Sequence, residues 1–332
     1  MNKLNVALMA GGDSSEREVS LGSAAQVLAA LNTYKYNVFL IDVNGRSWTY
    51  TSEDGRKWPV NRNDFSLTIA DMKTSLDYAL ILIHGTPGED GRLQGYFDFM
   101  KIPYSTCNMV STVITFDKQL CKQTVAAAGI PVAKGVFLRK GDRIDERAIA
   151  EQLGPMPWFV KPNASGSSFG VTKVYEPEDL LPSINGAFAE SNGVLVEEFL
   201  DGREIACGVL VTPYDEIVLP LTEIISKNDF FDYEAKYTPG RSNEITPADV
   251  DEEAAERVRE FALRAYRACR CRGIVRVDFM LLKDGTPVMI EINSVPGMSA
   301  GSIVPQQAEA AGMTLGELFD KVIADTNRRR DA

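Results

Sequence analysis

The sequence predicts an α/β protein that continues as a mixed α+β region and contains two or three domains. Its 332 residues exceed the roughly 150 residues of an average domain. Near the start, a buried strand, an amphipathic helix and a second strand follow one another, which is the pattern of a parallel βαβ unit. In the second half, strands follow one another closely and include a hairpin, which is typical of an antiparallel sheet.

The overall composition argues against several classes of partner. The formal net charge of −11 disfavours nucleic acid and anionic membranes. The five cysteines are scattered without a CxxC pair, which favours the reducing cytoplasm. No segment is apolar enough over a sufficient length to span a bilayer, and no signal peptide is visible before the first strand. His84 is the only histidine, which excludes a zinc site with two histidines.

The first βαβ unit begins with residues 5–10, NVALMA, which predict a buried strand followed by a Gly-Gly turn. Ser15-x-x-Glu18 is a capping box that opens a helix. One face of this helix is apolar and contains Ala24, Val27, Leu28 and Leu31. Residues 37–42, NVFLID, predict the next strand. Ligands of such units bind beyond the carboxyl ends of the strands.

Charged residues at the start of that helix, Glu16 and Arg17, are best explained as a complement to the helix dipole and as solvated surface. The Gly-Gly turn lacks the full GxGxxG spacing and is weak evidence for a dinucleotide site. Residues 44–75 are polar with a turn at Asp54-Gly55, and they predict a peripheral hairpin and loops.

A third buried strand is predicted at residues 78–83, YALILI, and it runs into HGTPGEDG at 84–91. A loop with three glycines and two acids after a parallel strand is more often functional than structural. His84 itself fits either a functional role or a hydrogen-bonded structural position at the strand end.

The middle of the chain begins with Asp117, which is the predicted N-cap of a helix that ends at Ala128. Strands are predicted at 131–141, 157–161 and 171–175. The loop NASGSSFG at 163–170 separates the last two strands. It is either a flexible turn or, because Lys161 precedes it, a flap over a phosphate group. A GxxxxGK[ST] motif is missing, so the chain is not a P-loop protein.

In the last third, strands are predicted at 194–198, 204–211 and 217–222, and helices at 252–270 and 313–324. Residues 226–247 follow no hydrophobic period. A loop of this length is usually a lid or a disordered segment, and Lys236 and Tyr237 within it favour a lid.

The most informative segment is the hairpin, in which residues 275–282 and 287–292 flank Asp284-Gly285. A two-residue turn at that dipeptide places Asp278 opposite Glu291 and Arg276 opposite Asn293. Directly opposed residues share one face of a sheet. The other face is predicted to be core and contains Val275, Val277, Phe279, Leu281, Val288, Ile290 and Ile292.

Two carboxylates and an amide on one face predict a magnesium site, because Mg²⁺ takes hard oxygen ligands and completes its shell with water and substrate phosphates. The alternative is the solvated face of an edge hairpin that contains an arginine–carboxylate pair. The loop SVPGMSAGS, which follows directly at 294–302, can offer backbone N–H groups to an anion and favours the ligand site.

These motifs together resemble the D-alanine–D-alanine ligase family of the ATP-grasp superfamily over essentially the whole chain. The matching segments, in order, are GGDSSEREVSLGS, HGTPGEDG, VKPNASGSSFGV, VEEFLDGRE, FFDYEAKY, RVDFM and EINSVPGMSAGS. The resemblance implies the ATP-grasp fold, with a Rossmann-like N-terminal domain and two α+β subdomains that clasp ATP. The implied boundaries are 1–106 for the substrate domain, 107–196 for the central subdomain and 197–332 for the C-terminal subdomain.

The resemblance also implies an activity, which is the ATP-dependent ligation of two D-alanines to D-alanyl-D-alanine through an acyl phosphate. This product would serve peptidoglycan synthesis and therefore cell-wall formation and cell shape. The implied cofactors are ATP and two Mg²⁺ ions, which Mn²⁺ could replace. The implied partners are small-molecule substrates, without nucleic acid or membrane, and the implied state is a cytoplasmic homodimer.

Individual roles follow from the same resemblance. The implied ATP contacts are Lys118, Lys161, Ser168, Glu197, Glu198, Phe199, Leu200, Glu204 and Lys236. The implied catalytic residues are Glu16, Ser167, Arg276, Gly297 and Tyr237. The implied substrate contacts are Glu16 and His84 for the first D-alanine, and Ser302 and Ile303 for the second. The implied magnesium ligands are Asp278, Glu291 and Asn293.

Ser165 departs from the family pattern, because an acid is common at this position and is linked to the positions of Ser167 and Tyr237. Two rival functions accompany the expected one. The chain could be a related ATP-grasp ligase that makes D-alanyl-D-lactate or another dipeptide. It could also be a nucleotide-binding protein without catalysis, although a complete metal face argues against that possibility.

Overall fold

The computed structural model describes residues 3–166, 168–226 and 242–328. Within these ranges the strands form three sheets, which helices cover. The helices are α1 (Arg17–Ala30), α2 (Arg92–Met100), α3 (Met109–Phe116), α4 (Lys118–Ala127), α5 (Glu146–Leu153), α6 (Leu180–Glu190), α7 (Glu252–Ala268), α8 (Ile303–Ala310) and α9 (Leu315–Arg328). In the described part of the chain, every helix is too short or too polar to cross a membrane.

The first sheet has seven strands in the order β6-β5-β4-β3-β2-β1-β7. Its strands are β1 (Leu4–Gly11), β2 (Tyr36–Asn44), β3 (Ser47–Thr51), β4 (Lys57–Asn61), β5 (Ser66–Ile69), β6 (Met72–Ser75) and β7 (Tyr78–Ile81). β1 is parallel to β2 and β7, as the βαβ pattern predicts. The expectation of a peripheral hairpin and loops at 44–75 is wrong, because β3 to β6 continue the sheet as an antiparallel meander.

The start of α1 differs from the predicted capping box. The helix begins at Arg17, and Glu16 occupies the N-cap position without a capping bond from its side chain. Ser20, one turn later, accepts a hydrogen bond from Gly11 N at 2.9 Å and donates one to Leu82 O at 2.7 Å. These bonds dock the helix on the strand ends through a polar residue, while Leu28 of the predicted apolar face is 38% exposed.

The second sheet is antiparallel, with the order β10-β9-β11-β8. Its strands are β8 (Gly135–Arg139), β9 (Trp158–Pro162), β10 (Thr172–Val174) and β11 (Gly193–Glu198). α5 and α6 cover one face with buried apolar side chains such as Ile149 and Ile184. The predicted N-cap of α4 is confirmed, because the Asp117 carboxylate accepts a hydrogen bond from Leu120 N at 2.9 Å.

The third sheet is antiparallel, with the order β15-β14-β12-β16-β17 and β13 beside β12. Its strands are β12 (Gly202–Val211), β13 (Glu216–Val218), β14 (Thr222–Ser226), β15 (Ser242–Ile245), β16 (Ile274–Leu282) and β17 (Pro287–Asn293). β15 corrects the prediction of a loop over 226–247 at its C-terminal end, because residues 242–245 form a strand that pairs with β14; residues 227–241 lie outside the described residues. α7 packs its buried face, including Val258 and Ala262, against this sheet.

The predicted hairpin register is confirmed at the candidate site, where Arg276 pairs with Asn293 and Asp278 with Glu291. The predicted two-residue turn is wrong. Leu282 N donates to Thr286 O at 2.9 Å, which leaves three residues in the loop. A register shift after Asp278 compensates for the extra residue.

That register shift also changes the predicted core face. Met289 pairs with Phe279 and lies in the hydrophobic core between the sheet and α7. Ile290, which was predicted to be core, lines a cavity instead. A bulge moves successive side chains to new directions, so the alternation of a regular strand no longer applies there.

Candidate active site

Two adjoining cavities lie between the sheets. The larger has a volume of about 530 Å³ and is lined by residues that include Glu16, His84, Glu89, Lys118, Ser165, Glu244, Arg276, Glu291, Asn293, Gly297, Ser302 and Ile303. The smaller has a volume of about 120 Å³ and is lined by residues that include Lys118, Phe159, Lys161, Ser165, Ser168, Glu197, Glu204, Met280, Ile290 and Glu291. Lys118, Ser165 and Glu291 line both, so the two cavities share a wall.

Most of the predicted site residues therefore meet in one place, but some do not line a cavity. Asp278 is 3% exposed and lies beneath Arg276. Glu198 lies at the end of β11, where its carboxylate accepts a hydrogen bond from Lys134 N at 2.8 Å. Phe199 stacks on Phe159 with ring centroids 6.3 Å apart. Leu200 follows in the same connector between β11 and β12.

Three predicted residues, Ser167, Lys236 and Tyr237, lie outside the described residues. The neighbour Ser168 is described and has a positive φ of 58°, at the tip of the loop between β9 and β10. In that loop, the Ser165 hydroxyl is 3.4 Å from the carbonyl oxygens of Gly166 and Phe169, to which it donates. Ser165 thus makes local bonds within the loop.

Glu16 corrects the expectation of a solvated helix start, because it is only 8% exposed and lines the larger cavity. A methyl group on Gly166 would overlap the Glu16 carboxylate, so the loop can approach Glu16 this closely only with glycine at that position. Arg17 forms an ion pair and is not simply solvated, since its guanidinium lies 2.6 Å from the Asp42 carboxylate.

His84 is a buried residue that joins two loops at the cavity wall. Its Nδ1 is 2.7 Å from the Val295 carbonyl, and its Nε2 is 3.4 Å from the Ser23 hydroxyl. Because a carbonyl only accepts, Nδ1 carries the proton and Nε2 accepts. Burial lowers the pKa of His84, against the opposing charge of Glu16, so the ring is neutral near pH 7.

Glu89 lines the larger cavity but was not among the predicted site residues, although it is one of the two acids in HGTPGEDG. It is 7% exposed, and its carboxylate accepts hydrogen bonds from Gly85 N at 2.8 Å and Val295 N at 3.1 Å. Burial, and then the charge of Glu16, raise the pKa of Glu89 to about 8. Glu89 and His84 therefore both fix the loop that follows β17.

Arg276 and Asp278 form a bidentate pair, with Nε to Oδ1 at 2.8 Å and Nη2 to Oδ2 at 2.7 Å. Burial alone would lower the pKa of Arg276, but the charge and hydrogen bonds of Asp278 outweigh it and raise that pKa above its ordinary value. The guanidinium is thus a permanent cation, held in one orientation at the wall of the larger cavity.

Lys118 and Glu291 occupy the wall between the cavities. The Lys118 ammonium is 3.3 Å from the Glu291 carboxylate and donates to Ser165 O at 2.9 Å. Asn293 lies on the same hairpin face, and its Oδ1 accepts from Val295 N at 3.2 Å. In the described ranges, His, Cys, Asp and Glu form no group of three that could hold a metal. The donors still suit Mg²⁺, which needs only one or two protein carboxylates beside phosphate oxygens and water.

Lys122, Lys161 and Glu197 form a buried cluster, of which Lys161 and Glu197 line the smaller cavity. Lys161 donates to one oxygen of the Glu197 carboxylate at 2.8 Å, and Lys122 donates to the other. Burial would raise the pKa of Glu197, but the two ammonium groups outweigh it and lower that pKa to about 2. The sequence reasoning missed Lys122, whose only local signal is its position one helical turn after Lys118.

Comparison with known proteins shows which family the chain belongs to. The family descriptions "D-ala D-ala ligase N-terminus" and "D-ala D-ala ligase C-terminus" match residues 5–107 and 124–324. A D-alanine–D-alanine ligase of Bacteroides fragilis is 44% identical over 321 residues, which cover 97% of this chain and 98% of the relative.

The chain belongs to the D-alanine–D-alanine ligase family.

Solved structures agree with membership in the D-alanine–D-alanine ligase family. The D-alanyl-alanine synthetase A of Vibrio cholerae superposes with a TM-score of 0.88 at 28% identity, covering 99% of both chains. The D-alanine–D-alanine ligase of Bacillus anthracis complexed with ATP superposes with a TM-score of 0.79 at 31% identity, covering 100% of this chain and 99% of the other. The fold of this member of the ligase family is therefore the ATP-grasp fold.

Proposed function

We propose that the chain joins two D-alanines into D-alanyl-D-alanine at the expense of ATP, for use in peptidoglycan synthesis. The observation that supports this function best is the shared wall of the two cavities. Lys118, Ser165 and Glu291 line both of them. A nucleotide in the smaller cavity would therefore present its terminal phosphate to a substrate in the larger one, as phosphoryl transfer to a carboxylate requires.

The first D-alanine is assigned to the side of the larger cavity that contains Glu16 and His84. Glu16 is a buried carboxylate that can hold an ammonium group. The second D-alanine is assigned to the start of α8, where Ser302 and the Ile303 N–H can receive its carboxylate, because a helix N-terminus favours an anion.

ATP is assigned to the smaller cavity, with its phosphates toward Lys118 and Lys161. Glu204 lines the same cavity and is assigned to the ribose, while the connector at 198–200 is assigned to the adenine edge. Glu197 holds the Lys161 ammonium, and Lys122 holds the other oxygen of the Glu197 carboxylate, so both are positioning residues for Lys161. The cluster has a net positive charge that suits phosphate groups.

Asp278, Glu291 and Asn293 are the residues that would hold Mg²⁺, as two ions that Mn²⁺ could replace. When bound, such an ion supplies charge neutralisation to the phosphate oxygens. The residues themselves supply two carboxylates and an amide on one hairpin face. Arg276 fixes the orientation of Asp278 through its bidentate pair, and Lys118 lies against Glu291.

The reaction proceeds in two steps under this proposal. First, a carboxylate oxygen of D-alanine attacks the γ-phosphorus and ADP leaves, while Lys118 and Lys161 offset the charge on the phosphoryl oxygens. Then the ammonium group of the second D-alanine loses one proton to solvent, its free amine attacks the acyl carbon, and the phosphate leaves with a second proton from the nitrogen. Arg276 and the Gly297 N–H stabilise the tetrahedral oxyanion, because both line the cavity where it would form.

The domain boundaries, the cellular location and the oligomeric state belong to the same proposal. The division at 106/107 is supported by the first sheet, which lies within residues 4–81. β11 (Gly193–Glu198) crosses the expected division at 196/197, so the sheets favour a second division at 199–201, between β11 and β12. A cytoplasmic location fits five free and buried cysteines in the described residues. A homodimer is proposed from the family resemblance.

The test is ADP release by the purified chain against a panel of D-amino acids, L-amino acids and D-hydroxy acids. The proposal expects release that depends on D-alanine, with D-alanyl-D-alanine as the product. ADP release without any dependence on D-alanine would favour a nucleotide-binding protein with idle hydrolysis. A depsipeptide product with D-lactate in preference to D-alanine would favour the related ligase.

A further inference from the structure

The larger cavity is lined by three acidic residues that the proposed mechanism does not use, Glu18, Glu89 and Glu244. Glu244 lies on β15, opposite Ile224 of β14, and its side chain lines the cavity that also contains Ser302 and Arg276. This position could not be predicted from the sequence, because the segment around Glu244 follows no hydrophobic period.

Glu244 is tied to the helix where the second substrate is expected. Gln306 Nε2 donates to Glu244 Oε2 at 2.7 Å and lies 3.3 Å from the carbonyl oxygen of Gly301. One amide group thus bridges the Glu244 carboxylate and the backbone directly before Ser302. The carboxylate is therefore held beside the start of α8, at the end of the cavity that would receive the second amino acid.

The other glutamates around the cavity are already occupied or exposed. In the described part of the chain, the cavity is lined by Glu16, Glu18, Glu89, Glu244 and Glu291. Glu16 is assigned to the first ammonium, Glu89 accepts two backbone N–H groups, and Glu291 lies against Lys118. Glu18 is exposed on α1. Glu244 is the carboxylate on the α8 side of the cavity.

The charge balance around Glu244 favours a cationic ligand. Burial raises the pKa of Glu244, while the bond from Gln306 and the charge of Arg276 lower it by less. The positive charge of Arg276 is already paired with the Asp278 carboxylate. A carboxylate in this position is stabilised when a ligand brings a positive charge.

An amino acid enters as a zwitterion, whereas a hydroxy acid has a carboxylate but no ammonium group. The start of α8 can hold the carboxylate of either. We propose that Glu244 binds the ammonium group of the second amino acid and so favours an amino acid over a hydroxy acid at that position. This inference rests on the proposed ligase function and names a specificity residue for its second substrate.

The decisive variant is Glu244→Gln, whose amide oxygen can still accept the bond from Gln306. We expect the KM of the second D-alanine to rise about ten- to a hundredfold, because one charged hydrogen bond is lost. The KM values of ATP and of the first D-alanine should change by less than about twofold. With D-alanine and D-lactate supplied together, the ratio of dipeptide to depsipeptide should fall by the same factor as the KM rises.

Two controls make the result specific. Glu309→Gln removes the same charge from an exposed position on α8 and should leave the second KM unchanged. Glu244→Asp keeps the charge and should retain more second-substrate affinity than Glu244→Gln. An unchanged second KM in Glu244→Gln, or an equal loss in Glu244→Gln and Glu244→Asp, would overturn the inference. A wild-type chain without D-alanine-dependent turnover would instead overturn the proposed function itself.

Discussion

Glu197 and Glu89 are both buried glutamates, and their neighbours move their pKa values in opposite directions. Two lysines lower the pKa of Glu197 to about 2, so it is an anion at every physiological pH. Burial and a nearby carboxylate raise the pKa of Glu89 to about 8. At this scale the function of a side chain depends on its partners, and the residue type alone does not determine it.

Glu89 should make folding stability depend on pH in the absence of ligands. Its pKa is higher in the folded chain than in the unfolded chain, so the folded state is penalised as pH rises between about 4.5 and about 8. Glu89→Gln removes this titration. Relative to wild type, the variant should therefore gain up to about 4 kcal/mol between pH 5 and pH 9. Urea unfolding of wild type and Glu89→Gln at pH 5 and at pH 9 measures the difference in their free energies of unfolding. The same difference at both pH values would contradict a raised pKa of Glu89.

Glu291→Gln keeps the side-chain shape and removes a charge from the proposed magnesium face. We expect turnover to fall roughly a hundredfold or more, because metal charge offsets several kcal/mol of developing phosphate charge. The fold should persist, since Glu291 lines both cavities and is not core. Near wild-type turnover in saturating Mg²⁺ would remove Glu291 from the metal site, provided that circular dichroism shows an intact variant.

At the scale of elements, the hairpin of β16 and β17 places several charged side chains on one face of a sheet. The three-residue loop and the register shift after Asp278 compensate for each other, so Arg276, Asp278 and Glu291 keep the predicted pairing. β16 begins at a tight position, because Gly273 has a φ of 66° and a Cβ atom there would lie too close to the Ser105 carbonyl oxygen.

Gly273→Ala should therefore destabilise the protein strongly. A methyl group there would overlap the Ser105 carbonyl oxygen, and the positive φ adds about 1 to 2 kcal/mol. Gly312→Ala is the matched control, because Gly312 has a φ of 74° but open space around it. Thermal unfolding should show a much larger decrease in Tm for Gly273→Ala than for Gly312→Ala. Similar decreases would show that backbone strain alone accounts for the loss.

At the scale of the whole molecule, the site exists only where the three sheets meet. The larger cavity takes Glu16 and His84 from the ends of the first sheet, Ser165 from the second and Arg276 from the third. The nucleotide would lie between the second and third sheets, with Lys161 on one and Glu204 on the other. Binding of the nucleotide at this position should therefore stabilise the second and the third sheet at the same time.

A non-hydrolysable ATP analogue with Mg²⁺ should raise the stability of the folded chain by about 2.7 kcal/mol at a hundred times its Kd. Lys161→Met should lower the affinity and reduce this shift at the same analogue concentration, because it removes a cation from the smaller cavity. Thermal unfolding with and without the analogue measures both effects. An undiminished shift in Lys161→Met would place the nucleotide elsewhere.

The sequence by itself determined which residues share the charged hairpin face, because side chains alternate along a strand and opposed residues point the same way. The family motifs likewise determined the ligase family and the ATP-grasp fold. Only the tertiary structure decided that Glu16 is buried, that Ile290 leaves the core, and that Lys122 meets Glu197 across 75 positions of the chain. Local periodicity encodes faces of single elements, whereas burial and charge partners depend on segments that are distant in sequence and meet only on folding.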